Sequence, residues 1–160
     1  MSSSETSYDE EFQKKGKGSL TYPAKANTLK KGQYVVIKGF PCKIVEVTTS
    51  KTGKHGHAKV HCTAVDIFTE KKYIEHTPGS HNVEKPFVTK MEYDLVDLNK
   101  GDGTVQYLDD ETNEINEELR IDPKSEMFEK MLAGLDNGDN VIISVTNAMG
   151  RSEVTGHRRE

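Results

Sequence analysis

From position 34 onward, apolar residues in this chain come only in short runs rich in Val and Ile, each closed off by Gly, Pro or a polar cluster. β-Branched side chains pack well on a pleated surface and lose rotamer freedom in a helix, so these runs read as strands. Tyr34-Val35-Val36-Ile37 stops at Gly39, residues 42–48 follow Pro41, and residues 60–68 follow a glycine-bearing loop. Further strands are expected at 72–76, 87–88, 93–98, 104–108, 117–121 and 141–146. Helices do not alternate with them, so a βαβ rhythm with a parallel sheet is excluded. The expected fold class is mainly all-β.

One segment, 124–132, has helical character. Asp122 is placed to cap it, Pro123 suits the first helical position, and Gly134 can end it. Met127, Phe128, Met131 and Leu132 share one face, which reads as core packing rather than a partner-binding groove. Strands around a single helix fit an OB-fold barrel over residues 88–160, and the runs of 19–87 fit a smaller SH3-like barrel. At 33% hydrophobic residues and without Trp, the chain suits two modest cores better than one large one. The join is expected near 85–89, where Pro86 interrupts the chain. Residues 1–18 are polar and are expected to form a disordered arm.

Charge divides in the same place. Residues 1–87 carry 14 Lys and Arg against nine Asp and Glu, whereas 88–160 carry eight against 17, so the halves are net +5 and −9. Between Lys14 and Lys72 there are 13 lysines and only Glu46, Asp66 and Glu70 as acids. The basic half is therefore the candidate for polyanion contact. The longest strongly apolar run, Val141-Ile142-Ile143, falls far short of the roughly 20 residues that cross a bilayer. The N-terminus lacks the apolar segment of a secretory signal, no Asn-x-Ser/Thr sequon occurs, and only Cys42 and Cys62 could form a disulfide. A reduced, cytoplasmic protein is expected.

The segment Ser50-Lys51-Thr52-Gly53-Lys54-His55-Gly56-His57-Ala58-Lys59 lies between two expected strands and holds no side chain larger than Ala suited to a core. Gly53 and Gly56 allow sharp turning on either side of Lys54 and His55, which puts Lys54 at a hairpin tip. A phosphate-binding P-loop would need Gly in place of Thr48 and Ser or Thr in place of His55, so that reading fails. Zinc could be drawn from His55, His57, His61, Cys62 and Cys42, but paired Cys-x-x-Cys ligands are absent, and the cysteines read better as small buried strand residues. A nucleophilic lysine would need desolvation, and a histidine base would need a carboxylate; the loop supplies neither. There remain a basic finger for a polyanionic crevice and, as the bland alternative, a merely solvated loop.

The run from Ser50 to His61 resembles the modification loop of the eukaryotic translation initiation factor 5A family, the hypusine-containing factors. Its neighbours agree: Gly39-Phe40-Pro41-Cys42-Lys43-Ile44-Val45-Glu46, Asp66-Ile67-Phe68-Thr69 and Ser80-His81-Asn82-Val83 resemble the family's flanking segments. The resemblance implies that Lys54 is converted to hypusine, with deoxyhypusine synthase transferring an aminobutyl group from spermidine and deoxyhypusine hydroxylase completing it. Lys54 is then a substrate, no residue is catalytic, and neither a metal nor another cofactor is implied. Lys51, Thr52, Gly53, His55, Gly56, His57 and Lys59 would shape synthase recognition and the contact with tRNA. The implied partners are the large ribosomal subunit and the acceptor end of the P-site tRNA, with relief of stalling at proline runs and help in elongation and termination.

Two other classes compete. An autonomous RNA-binding protein would use the second barrel with Tyr93, Tyr107 and Phe128 as stacking groups, against that half's net −9. A small enzyme would need turnover that depends on unmodified Lys54. Residues 147–160 read as a short polar tail.

Overall fold

A computed structural model describes residues 20–51 and 58–160. The chain is mostly β, in two units: the first runs to Val88 and takes in Ala148–Gly150, and the second is formed by Thr89–Asn147 and Arg151–Glu160. Among the described residues, no helix is long and apolar enough to cross a membrane.

In the first unit, β1 (Thr21–Lys25) leads into a 3-10 turn, Ala26–Thr28. Then come β2 (Tyr34–Ile37), β3 (Phe40–Lys51), β4 (Ala58–Asp66), β5 (Lys72–Pro78) and β6 (Asn82–Pro86). Strands β2-β3-β4-β5 form an antiparallel sheet, and β1 pairs with β6 as a separate ribbon. Contact between β2 and β6 brings ribbon and sheet together into the SH3-like barrel. Along β4 every second residue is buried, namely Val60, Cys62, Ala64 and Asp66, which is the alternation of a strand with one face on a core. The core gathers Leu29, Val35, Ile37, Cys42, Ile44, Cys62 and Ala64. Strand β4 stops at Asp66 rather than running to position 68, because its Oδ1 accepts the backbone N–H groups of Phe68 and Thr69 at 2.8 and 3.2 Å and turns the chain.

The second unit comprises β7 (Val88–Leu98), β8 (Thr104–Asp109), β9 (Glu114–Arg120), α1 (Glu126–Asp136), β10 (Val141–Ala148) and β11 (Arg151–Arg159). The sheet order β11-β10-β7-β8-β9, with β9 and β11 in contact, closes an OB barrel whose helix lies between its third and fourth strands. Its core joins Leu95, Leu98, Val105, Tyr107, Leu119, Phe128, Met131, Val141, Ile143, Val145 and Val154. The shared face of Met127, Phe128, Met131 and Leu132 packs into this cluster, as its spacing predicts.

Four expectations need correction. The stretch read as a polar tail is mostly β11, whose buried Val154 belongs to the core. Positions 87–88 are not a strand of their own, since β6 ends at Pro86 and β7 starts at Val88. The helix starts at Glu126, because Ser125 is the residue whose Oγ accepts the Phe128 N–H, while Asp122 only caps the preceding turn through Lys124 N–H. It runs to Asp136, so Gly134 lies inside it, and Gly138, with φ +82°, follows its end. The arm expected at 1–18 lies outside the described residues.

Candidate functional site

The hairpin of β3 and β4 outgrows its core. Beyond the half-buried Val47, residues 48–51 of β3 are all exposed, yet they stay in register: Thr48 with His61, Thr49 with Val60, Ser50 with Lys59, and Lys51 with Ala58. The segment read as a ten-residue loop is thus shortened, since Ser50, Lys51, Ala58 and Lys59 belong to paired strands. Six residues join the strand ends. Those six, Thr52, Gly53, Lys54, His55, Gly56 and His57, lie outside the described residues.

Partners in an antiparallel pair point to the same face, and successive residues alternate. Ser50 and Lys59 therefore share one face of the stem, and Lys51 with Ala58 takes the other. The two lysines straddle the stem, both exposed. Their charges flank the strand ends from both sides.

The stem is held from below. Gly79 donates its N–H to the Ala58 carbonyl at 2.9 Å, and its own carbonyl accepts from Asn27 N–H at 3.1 Å. A Cβ at Gly79 would lie 3.3 Å from the Asn27 Cβ, so the close approach suits glycine. Ala26 N–H bonds the His81 carbonyl at 2.9 Å, and Lys25 Nζ bonds the Ser80 carbonyl at 3.1 Å. The segment around Ser80 and His81 thus buttresses the hairpin. On the Lys59 face, Ser50 Oγ lies 2.9 Å from His61 Nε2, and the His61 and His76 rings meet edge to face at 4.3 Å. Sequence reading passed over this buttress, because its contacts join positions about 20 to 55 residues apart, at a range where no local pattern reaches.

The stem offers structure rather than reactivity. Among the described residues, no carboxylate is hydrogen-bonded to His61 or His76, so Ser50 and His61 lack the third member of a triad. Cys42 and Cys62 are free and buried, and burial first of all pushes both thiols up to about 11, with Asp66 adding to it at Cys42 and Glu75 at Cys62. Neither is a thiolate near neutral pH. No group of three or more His, Cys, Asp or Glu among the described residues is arranged to hold a metal ion.

The aromatic platform that RNA binding by the second barrel would need is not on its surface. Tyr107 and Phe128 are buried in the core and Tyr93 packs against them, its ring centroid 4.8 Å from that of Tyr107.

Comparison with known proteins gives two family matches in tandem. Residues 19–81 match the model described as translation initiation factor 5A-like, N-terminal, and residues 87–158 match the one described as eukaryotic elongation factor 5A hypusine, DNA-binding OB fold. The chain is 44% identical over 150 residues to eukaryotic translation initiation factor 5A-4 of Solanum tuberosum, covering 91% of this chain and 93% of the relative. Identity to eukaryotic translation initiation factor 5A of Dictyostelium discoideum is also 44%, covering 96% and 95%. A solved structure of a translation initiation factor eif-5a family protein from Naegleria fowleri superposes with a TM-score of 0.78 at 43% identity, over 87% of this chain and 99% of that one.

Proposed function

The chain belongs to the eukaryotic translation initiation factor 5A family, and on that premise we propose that it acts as a hypusine-modified, cytoplasmic factor of the elongating and terminating ribosome. Lys54 is the modified residue. Deoxyhypusine synthase and deoxyhypusine hydroxylase act on it as a substrate, and the protein itself catalyses nothing. The modified side chain enters the large subunit beside the acceptor end of the P-site tRNA, steadies it, and relieves stalling at proline runs. Proline's fixed φ makes a poorly oriented peptide-bond partner, so holding the tRNA end in position restores reactive geometry.

The observation that carries this reading is the stem. A hairpin kept in register beyond its core, braced by Gly79 and flanked by Lys51 and Lys59, is the support a narrow basic probe requires. Extending a lysine by an aminobutyl arm lengthens its reach and adds a second amine for phosphate contacts. Intact and peptide mass spectrometry on protein purified from its native host tests it. Hydroxylated aminobutyl-lysine at Lys54 is expected, and an unmodified Lys54 throughout the native pool would overturn the reading.

A further inference from the structure

Strands β2 and β3 are joined by two residues, Lys38 and Gly39, with φ of +53° and +86°. Two-residue turns of this hand favour Asn-Gly or Gly-Gly, since a longer side chain is disfavoured at the first left-handed position. Turn chemistry therefore does not account for Lys38. Its side chain reaches back over the sheet and sets Nζ 5.9 Å from the centroid of the Tyr73 ring on β5. From the turn between β4 and β5, Lys71 brings a second Nζ to 5.5 Å from the same ring. Phe40 stacks against Tyr73 with 15° between the ring planes and 5.8 Å between centroids. Phe40 nonetheless remains 42% exposed.

Two cations gathered at one ring repel each other, and the ring offsets only part of that repulsion. Neither lysine is in an ion pair among the described residues. Lys43 and Lys72, which pair with Val65 from either side, are exposed on the opposite face of the sheet from Tyr73, so the charge at the ring is that of Lys38 and Lys71. An open aromatic face beside unmatched ammonium groups is complementary to a base with its flanking phosphates. An acidic peptide would use the lysines but gain little from the flat ring.

We infer that Phe40, Tyr73, Lys38 and Lys71 form a second contact site for RNA, where an unpaired base stacks on Phe40 and the two lysines hold the adjacent phosphates. The site stands apart from the Lys54 hairpin. Phe40 and Lys51 are the two ends of β3, and at about 3.3 Å per residue that separates them by roughly 35 Å. One partner could thus be gripped at both ends of the barrel.

The test is fluorescence anisotropy with a short, unstructured oligoribonucleotide and the full-length chain made in a host that leaves Lys54 unmodified. Phe40→Leu, which keeps the apolar bulk and removes the ring, should weaken binding by about fivefold or more, while Phe40→Trp should preserve it. Lys38→Gln with Lys71→Gln should reduce the slope of log affinity against log salt by about 1.4, the value for two phosphate contacts on a single strand. Unchanged affinity in Phe40→Leu, or an unchanged slope in the lysine pair, overturns the inference. If a polyglutamate peptide binds the patch while RNA binding is indifferent to these changes, the site belongs to an acidic protein segment, and the inference also fails. Should Phe40→Leu melt early, the lysine pair, whose side chains are on the surface, decides alone. The outcome is independent of Lys54 modification, so failure here leaves the proposed function standing.

Discussion

Single atoms decide what two glycines tolerate. Gly103 has φ +80°, and a Cβ there would sit 2.0 Å from the Ile121 carbonyl oxygen. Backbone cannot retreat as a flexible side chain can, so Gly103→Ala should cost roughly 3 kcal/mol or more in urea unfolding. Gly134 is the opposite kind of case. It lies inside a helix, where Ala would ordinarily gain about 1 kcal/mol. Its Cβ, however, would meet the buried Val141 Cγ2 at 2.8 Å and the Arg159 Nε at 3.0 Å. Overpacking of about 1 to 3 kcal/mol outweighs the propensity gain, so Gly134→Ala should destabilise, and pairing it with Val141→Ala should recover part of the loss. The two thiols make a pH prediction. Their pKa values rise from 9.0 in the unfolded chain to about 11 in the fold. The folded state then holds its protons more tightly, so this contribution to stability is fully present below pH 9 and lost as pH climbs toward 11. Thermal melts between pH 8 and pH 10.5 should show a fall that is smaller in Cys42→Ala with Cys62→Ala.

At the scale of elements, what could be read from sequence depended on how many buried residues a strand supplies. Strands β2 and β4 bury residues at alternate positions, β10 does so apart from the adjacent Val145 and Thr146, and all three were legible from their β-branched residues. Strand β11 buries only Val154 within Arg-Ser-Glu-Val-Thr-Gly-His-Arg-Arg, so its period-2 signal is nearly empty, yet it forms the edge of the five-stranded sheet. The ribbon of β1 and β6 escaped for a related reason: each strand carries a proline and polar residues, and each is specified by the other across about 60 residues of chain. Sequence placed the helix but not its first residue, because Asp122 and Ser125 both satisfy a turn and only three-dimensional packing selects Ser125. Ser125→Ala should therefore cost about 1 kcal/mol, measured by chemical denaturation. Ending the chain before Arg151 should do far more. It removes Val154 from the core, the contact of β11 with β9, and the Arg159 hydrogen bond to the Lys130 carbonyl at 3.1 Å. Calorimetry should then show the cooperative transition of the second unit abolished, a result that a dispensable polar tail would not give.

For the whole molecule, charge and aromatic placement point the same way. The basic half holds the hairpin stem with Lys51 and Lys59 exposed on its two faces, whereas the net −9 half keeps Tyr107 and Phe128 inside its core. Affinity for a polyanion rises with the number of counterions displaced, so the half that supplies the lysines should set the salt dependence of ribosome binding. Replacing Lys51 and Lys59 together by Gln should weaken binding of the modified protein to large ribosomal subunits and flatten its dependence on salt. Both positions are exposed, so the fold should be unaffected, and once mass spectrometry shows that the variant carries hypusine at Lys54 to the same extent as the parent, the change is assigned to lost charge. If instead the second barrel bound RNA by itself, the same pair of substitutions would leave the slope unaltered, and the loss would follow substitutions on the second barrel. A co-sedimentation titration at several salt concentrations separates the two cases, because it reads the number of phosphates contacted and not merely whether binding occurs.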